Sequence, residues 1–166
     1  MAATSLPMSA CVNKLEQEDT QQKIKKNVNV ILIVDTVNIK PDDVNQYCHF
    51  SGQRSDTPIQ DFTIYPNVGD TVTWLGLSGS TSDDVVHIKE INYKIGNEVF
   101  DEKRLEGKAK PKGAPMKVTG KIKHKTIGIA LEDKFGQKNN IYNIVFTIND
   151  NDDTEYNIDP KIQVNQ

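Results

Sequence analysis

The residues best suited to metal chemistry lie far apart in the chain. His87 follows residues 69–74 at a spacing typical of a strand that leads to a copper-binding histidine. A blue-copper centre also needs a second histidine and a cysteine thiolate, and no cysteine follows Cys48. His49 is adjacent to Cys48, but adjacent strand residues point to opposite faces. We therefore expect neither a metal nor another cofactor, and we interpret His87 as a packed or hydrogen-bonded core histidine.

An acidic turn near the C-terminus offers the hard oxygen ligands that calcium takes. Its carboxylates are Asp150, Asp152, Asp153 and Glu155. The turn lacks the glycine at the sixth position and the glutamate at the twelfth position of an EF-hand loop. These residues therefore indicate a solvated hairpin tip.

Motifs for nucleophilic and phosphate chemistry are absent from the sequence. It contains no Gly-x-Ser-x-Gly elbow and no glycine-rich phosphate loop. Nothing marks a helix N-terminus beside Cys48 that would activate its thiol. We predict no catalytic residues and no enzymatic activity. An enzyme is the third hypothesis, and it would need a pocket that gathers Asp35, His87 and Asp84.

Positive charge is concentrated in residues 103–125. This segment has nine basic residues and one acidic residue, Glu106, for a net charge of +8, whereas the rest of the chain carries −11. Such a segment could meet nucleic acid or an acidic neighbour, but it contains no aromatic residue for base stacking. We expect no nucleic-acid partner. Three lysines share one strand face opposite Ile122 and His124, as on a solvated or guarded edge: Lys121, Lys123 and Lys125.

Length and composition fit one globular domain with a polar leader. The 166 residues suffice for one hydrophobic core. The longest apolar run, residues 30–34, is far shorter than the roughly 20 residues of a membrane helix, so we expect no membrane partner. Residues 1–26 are polar, lack the parts of a secretory signal, and are interpreted as a flexible leader to a domain of residues 27–166. Cys11 and Cys48 are expected to stay reduced, in agreement with a cytoplasmic protein.

Alternating apolar residues predict strands along most of the domain. Residues 27–35 are rich in β-branched residues and apolar on both parities at their centre, which predicts a strand covered on both faces. Period-two alternation marks residues 59–65, 70–75 and 85–95.

The C-terminal part predicts two half-buried strands. Residues 142–148 and 156–164 alternate, and the polar residues 149–154 between them suit a hairpin. Pro160 cannot donate to a ladder, so the last strand should lie at an edge or be broken there. Seven or eight strands without a long helix predict an all-β fold, an antiparallel two-sheet β-sandwich that is jelly-roll-like.

Several landmarks in residues 27–166 are similar to the AidA/PixA inclusion-body protein family. The first strand ends in Asp35, and the terminal strand contains Asp159 and Pro160. A turn formed by Gly69 and Asp70 is followed by a strand that ends in an aromatic residue, Trp74. The resemblance implies a small jelly-roll β-sandwich that is abundant in some bacteria and sometimes stored in inclusion bodies, under population-density or phase control. It implies no established catalytic activity and supplies no catalytic residues.

Three residues are candidates for binding a ligand: Asp35, Trp74 and His87. Asp35 could bond the amides of a turn or form the wall of a pocket, and Trp74 is expected in the core with its indole N–H satisfied. The leading hypothesis is a non-enzymatic bacterial protein that forms a homo-oligomer through β-edges and complementary charge. The alternative is a β-sandwich that binds a carbohydrate or another small ligand, with Trp74 or Tyr65 as the stacking platform.

Overall fold

A computed structural model of the chain describes residues 24–108, 111, 113–123, 140–149 and 151–165. Most of the predicted leader, together with Cys11, His124, Lys125 and Asp150, lies outside these residues. In chain order the strands are β1 (Asn27–Val34), β2 (Cys48–Phe50), β3 (Thr63–Ile64), β4 (Thr71–Ser78), β5 (Val86–Ile95), β6 (Arg104–Glu106), β7 (Val118–Lys121), β8 (Asn140–Ile148), β9 (Tyr156–Ile158) and β10 (Lys161–Ile162). Two short 3₁₀ helices span Pro41–Gln46 and Ile59–Asp61.

The strands form two sheets, which confirms the predicted all-β class and the two-sheet arrangement. The first sheet has the order β2-β1-β4-β7, and the second has the order β3-β10-β8-β5-β6 with β9 also paired to β8. Strands β4, β5 and β8 coincide closely with predicted segments. The predicted break at Pro160 is also present, because β9 and β10 pair with β8 on either side of it.

The sheets are mixed, so the prediction of an antiparallel sandwich was wrong in part. Strands β1 and β4 pair in parallel from Asn27↔Thr71 to Val34↔Ser78, and β3 pairs in parallel with β10. Alternation reports which faces of a strand are buried and is the same in parallel and antiparallel ladders. The sequence pattern therefore could not give the direction of β4 relative to β1.

The strand predicted over residues 59–65 begins instead as a 3₁₀ turn, Ile59–Asp61. Ile59 and Phe62 are three residues apart, so they lie on one side of such a turn. The amide of Phe62 donates to the carbonyl of Ile59 at 3.2 Å, and the amide of Asp61 donates to the carbonyl of Pro58 at 2.9 Å. Only Thr63–Ile64 remains as a strand.

The inner faces of the two sheets form the core, and β1 contributes only one of its faces to it. Val30, Leu32 and Val34 are buried, whereas Ile31 and Ile33 are half-exposed. The prediction that β1 is covered on both faces was therefore wrong within the described residues. The outer apolar residues of β1 instead lie on the surface of the first sheet.

Gly76 lies where the two sheets approach each other closely. It is buried in the middle of β4, and a Cβ atom at this position would lie 2.7 Å from the Cβ atom of Val86 on β5. A side chain there must push the sheets apart.

We expect Gly76→Ala to destabilise the protein by about 1–3 kcal/mol, the usual range for overpacking a tight core. Equilibrium urea unfolding measures this change. The matched control is Gly52→Ala. That substitution meets no neighbouring atom within 4 Å but strains a backbone with a φ of 81°, which is a cost of order 1 kcal/mol without overpacking. A loss in Gly76→Ala that is larger than the loss in Gly52→Ala would identify the clash; a loss no larger than that of the control would contradict it.

Candidate functional site

Asp35 lies immediately after β1, where the chain leaves the first sheet. Its amide donates to the carbonyl of Tyr47 at 2.8 Å, and its carbonyl accepts from the amide of Ile39 at 3.1 Å. The Gly79 amide, at the end of the parallel neighbour β4, donates to the carbonyl of Val34 at 2.7 Å. Backbone hydrogen bonds thus hold three loop segments together around Asp35.

These loop segments enclose an open groove of about 500 Å³. Its lining combines aliphatic, aromatic, amide, hydroxyl and carboxylate groups: Ile33, Asp35, Val37, Asn38, Gln46, Tyr47, His49, Gly79 and Ser80. Binding sites for small molecules usually measure about 300–1,000 Å³ and combine apolar walls with a few polar groups. The groove therefore has the size and composition of a ligand site.

The Asp35 carboxylate is fixed by its neighbours. The Ser80 hydroxyl donates to Oδ1, and Asn38 donates to Oδ1 through its amide at 3.2 Å and to Oδ2 through Nδ2 at 2.8 Å. The hydrogen bond from Ser80, followed by those from Asn38, lowers the pKa of Asp35 below its ordinary value. The carboxylate both bonds a turn amide and forms one wall of the groove.

Trp74 lies in the core and is only 4% exposed. Its ring and that of Phe100 form a T-shaped pair at a centroid distance of 5.5 Å, and Phe100 forms a second T-shaped pair with Tyr142 at 5.4 Å. The void beside Trp74 measures about 10 Å³, which holds about one water molecule. Trp74 therefore cannot stack a sugar ring from solvent, whereas Tyr65, at 59% exposure, is accessible.

His87 lies in β5 of the second sheet and is 8% exposed. Its Nδ1 atom accepts a hydrogen bond from the amide of Met116 at 3.1 Å, which fixes the proton of the neutral ring on Nε2. The imidazole thereby helps to hold the segment that connects the two sheets near Met116.

The three candidate residues are not brought together. Among the residues that the structure describes, the lining of the groove includes Asp35 but neither Trp74 nor His87. Asp84 lies on the loop that precedes β5, where its Oδ1 atom accepts from Asn149 at 2.8 Å. Each residue of the pocket required by the enzyme hypothesis therefore has structural partners of its own.

The alternation predicted at Cys48 and His49 is present in β2. Cys48 is buried and His49 is exposed. Burial raises the pKa of the Cys48 thiol to about 12, so this thiol is protonated and unreactive at neutral pH. In the described ranges no group of three or more His, Cys, Asp or Glu side chains could hold a metal ion.

The loops that follow β1, β4 and β8 leave the sandwich at one end. The parallel pairing of β1 and β4 sets the first two, and the pairing of Val86 with Ile148 sets the third. Asn149, with a φ of 57°, joins two of the loops because its Oδ1 atom accepts from the amide of Val85 at 2.9 Å. We call the described residues 35–47, 79–85 and 151–155 the acidic end; they carry eight acidic side chains and one lysine, a net charge of −7.

Most of the groove-lining residues were missed by the sequence analysis. Ser80 reaches Asp35 because β1 and β4 run in parallel and finish side by side. Tyr47 reaches it because β2 pairs antiparallel with β1, with Cys48 opposite Val34. Alternation carries no information on the direction of either pairing. A polar loop after each strand was the only available signal.

Comparisons with known proteins identify the fold. No protein-family model and no curated protein matches the chain. Among solved structures, the chain is similar to PixA, an inclusion body protein from Burkholderia cenocepacia J2315, with a TM-score of 0.55 and 12% identity, over 87% of this chain and 98% of that one. No helix within the described segments is long and apolar enough to span a membrane. The structural likeness confirms, at the level of the fold, the resemblance to the AidA/PixA inclusion-body proteins: the chain has the fold of PixA.

Proposed function

We propose that this chain is a non-enzymatic, cytoplasmic bacterial protein of the PixA inclusion-body type that self-associates through the outer face of its first sheet. The observation that carries the proposal is a block of aliphatic side chains on that face. The name of the structural neighbour, an inclusion body protein, agrees with it. A second copy of this chain is the occupant that we propose for the block.

On the outer face, the side chains change from polar to aliphatic at the same register position in the adjacent strands β1 and β4. At one end it presents two register pairs of polar residues, Asn27↔Thr71 and Asn29↔Thr73. At the other end it presents two aliphatic pairs, which we call the aliphatic block: Ile31↔Leu75 and Ile33↔Leu77. Leu77 is 44% exposed and nearby Val37 is 69% exposed, whereas Ile31, Ile33 and Leu75 are half-buried. A contiguous apolar surface that is partly exposed and rimmed by polar side chains is typical of a protein interaction surface.

Strand edges offer less for association than this face does. The outermost strands of the two sheets, β2, β7, β3 and β6, have between two and four residues each. Natural proteins use such short edge strands to prevent pairing between sheets. The long alternating strand β8 lies inside the second sheet between β10 and β5. The proposed contact therefore lies on the outer face of the first sheet and not at a strand edge.

Charge complementarity is also reduced by contacts within the molecule. Three basic residues of the 103–125 segment pair with acidic residues outside it: Lys103 with Glu98, Arg104 with Glu90, and Lys123 with Asp101. Apolar burial is thus the main driving force in the proposed interface, and the attraction between the basic segment and an acidic neighbour is secondary.

The face is small. Its four strands have three, eight, eight and four residues, which at about 3.3 Å per residue and about 4.8 Å between strands gives a face of roughly 360 Å². Two such faces total about 700 Å², which is below the roughly 1,000 Å² of a specific, stable interface and is typical of a weak, transient one. We expect a weak, concentration-dependent oligomer that becomes dominant where the protein accumulates.

The test is Leu77→Lys, which places a charge in the aliphatic block. We expect this variant to raise the dissociation constant of the oligomer by a factor of about ten or more, because burial of one leucine is worth about 1.5–3 kcal/mol. Size-exclusion chromatography with light scattering, over a concentration series up to about 100 μM, measures the change. An apolar interface should also survive about 1 M salt, at which exposed charges are screened beyond about 3 Å.

Thr73→Lys is the matched control, since Thr73 lies on the same strand and the same face but at the polar end. It should leave association unchanged. Equal weakening by both lysines, or a wild-type protein that stays monomeric at about 100 μM, would refute the proposed interface. An oligomer that dissociates in salt would show that charge, and not the block, holds it together.

A further inference from the structure

The groove beside Asp35 is preformed. Its walls are joined by the backbone hydrogen bonds of Asp35 to Tyr47 and of Gly79 to Val34, and by the side-chain bond of Ser80 to Asp35. A Cβ atom at Gly79 would come within 3.0 Å of Cγ2 of Ile33, so the glycine lets this loop lie directly over the strand. Because these groups are already fixed, ligand binding carries little entropic cost for ordering them.

The lining of the groove favours one sign of ligand charge. Asp35 is its acidic side chain, and apart from the imidazole of His49 the lining contains no basic side chain among the described residues. The surrounding acidic end adds further negative charge; of its eight carboxylates, Asp152 pairs with Lys89 at 2.7 Å. A concave surface lined by one sign of charge focuses the field and concentrates ligands of the opposite sign. Phosphates, nucleotides and acidic sugars are therefore disfavoured.

Asp35 retains capacity to accept a cation. A carboxylate has about four lone-pair positions, and in the described contacts Oδ2 accepts one hydrogen bond, from Asn38 at 2.8 Å. The aliphatic side chains of Ile33 and Val37 and the ring of Tyr47 line the same groove. Hydrocarbon walls suit a methylene chain, and an aromatic face attracts a cation that lies over it.

We infer that this groove is a binding site for a small aliphatic amine, with the ammonium group on the Asp35 carboxylate and the methylene chain along Ile33 and Val37. Tyr47 and the amides of Asn38 and Gln46 complete the site around the ammonium group. This site is distinct from the proposed self-association surface, although Ile33 and Val37 border both. Its ligand is a free small molecule.

The probe is 1,5-diaminopentane, compared with two molecules that have the same five-carbon chain. Pentane-1,5-diol replaces the ammonium groups by hydroxyls, and pentanedioate replaces them by carboxylates. Ligand-observed NMR at about 10 μM protein keeps the full-length chain below the concentrations at which a weak oligomer would form. We expect the diamine to bind, the diol to bind at least about tenfold more weakly, and the dianion not to bind.

Asp35→Asn keeps the shape of the side chain and removes its charge, so it should weaken diamine binding about tenfold or more. Asp101→Asn is the matched control, because it removes one exposed carboxylate from the loop that follows β5, at the opposite end of the sandwich. Asp84→Asn lowers the charge of the acidic end without altering the lining, and a two- to threefold loss would support the role of the surrounding field. Thermal melts show that each variant is folded.

Three results would overturn the inference. They are no diamine binding at about 10 mM, equal losses in Asp35→Asn and Asp101→Asn, or diol binding as tight as that of the diamine. The last result would assign the groove to a neutral, hydroxyl-rich ligand such as a carbohydrate. None of these results bears on the oligomer, which is measured with Leu77→Lys, so the two proposals fail independently.

Discussion

Trp74→Ala should lower the free energy of unfolding by about 3–5 kcal/mol, the range for truncating a large buried aromatic side chain. Trp74 is 4% exposed, and its edge contact with Phe100 continues to Tyr142. Removing the indole would leave a cavity between the sheets and would break both this contact and the packing beside the existing void. For a domain of this size the melting temperature should fall by on the order of 10 °C, which differential scanning calorimetry measures.

Tyr65→Ala is the control, because Tyr65 is the exposed aromatic residue proposed with Trp74 as a stacking platform. Surface substitutions usually change stability by less than about 0.5 kcal/mol. A Trp74→Ala variant with wild-type stability that loses binding of a small ligand would instead assign Trp74 to a binding site. The two variants together thus separate a core role from a ligand-binding role.

The sequence predicted best the strands in which burial alternates strictly. In β4, Val72 and Trp74 are buried and Thr73 is half-exposed, as the period of two requires. In β8 the alternation holds only as far as Ile144, because residues 145–147 are all buried. The sequence predicted poorly how these strands are arranged. The parallel pairing of β1 with β4 depends on the long connection through β2 and the two 3₁₀ turns, which local periodicity does not describe.

Errors in the predicted fold account for the parts of the site that were missed. Asp35 was identified because it ends a strand, and it does line the groove. Tyr47 and His49 come from the segment at β2, which pairs antiparallel with β1, and Ser80 comes from the loop after the parallel neighbour β4. Local periodicity predicted neither pairing. The apolar residues on both faces of β1 predict a strand buried on both sides, although an apolar surface that is partly exposed produces the same pattern.

Asp70 is the second residue whose replacement should have a large effect. It was identified as part of the Gly-Asp landmark, and the structure shows it to be 2% exposed. Its Oδ1 atom accepts from the amide of Lys26 at 2.9 Å, and Oδ2 accepts from the amide and the side chain of Asn67 at 2.8 and 3.2 Å. One carboxylate therefore closes the turn before β4 and holds the chain at the start of β1.

Burial by itself raises the pKa of Asp70, but the hydrogen bonds from Asn67 and Lys26 outweigh it, and the pKa lies below the ordinary value of 3.8. The folded state thus binds a proton on Asp70 less readily than the unfolded state does. By linkage, the ionised carboxylate contributes stability that is complete above a pH of about 4 and is lost as the pH falls through the lowered pKa.

Asp70→Asn should destabilise the protein by about 3 kcal/mol at pH 7, because the new NH₂ group faces a backbone donor and the charge-assisted hydrogen bonds are lost. The difference from the wild type should narrow below pH 4, since the wild type loses its own carboxylate contribution there. Urea unfolding at pH 7, 5 and 3 measures both effects, with Asp153→Asn at the exposed hairpin tip as the charge-matched control. A difference that stays constant with pH, or an equal loss in Asp153→Asn, would mean that the ionised Asp70 does not hold the start of β1 to the turn before β4.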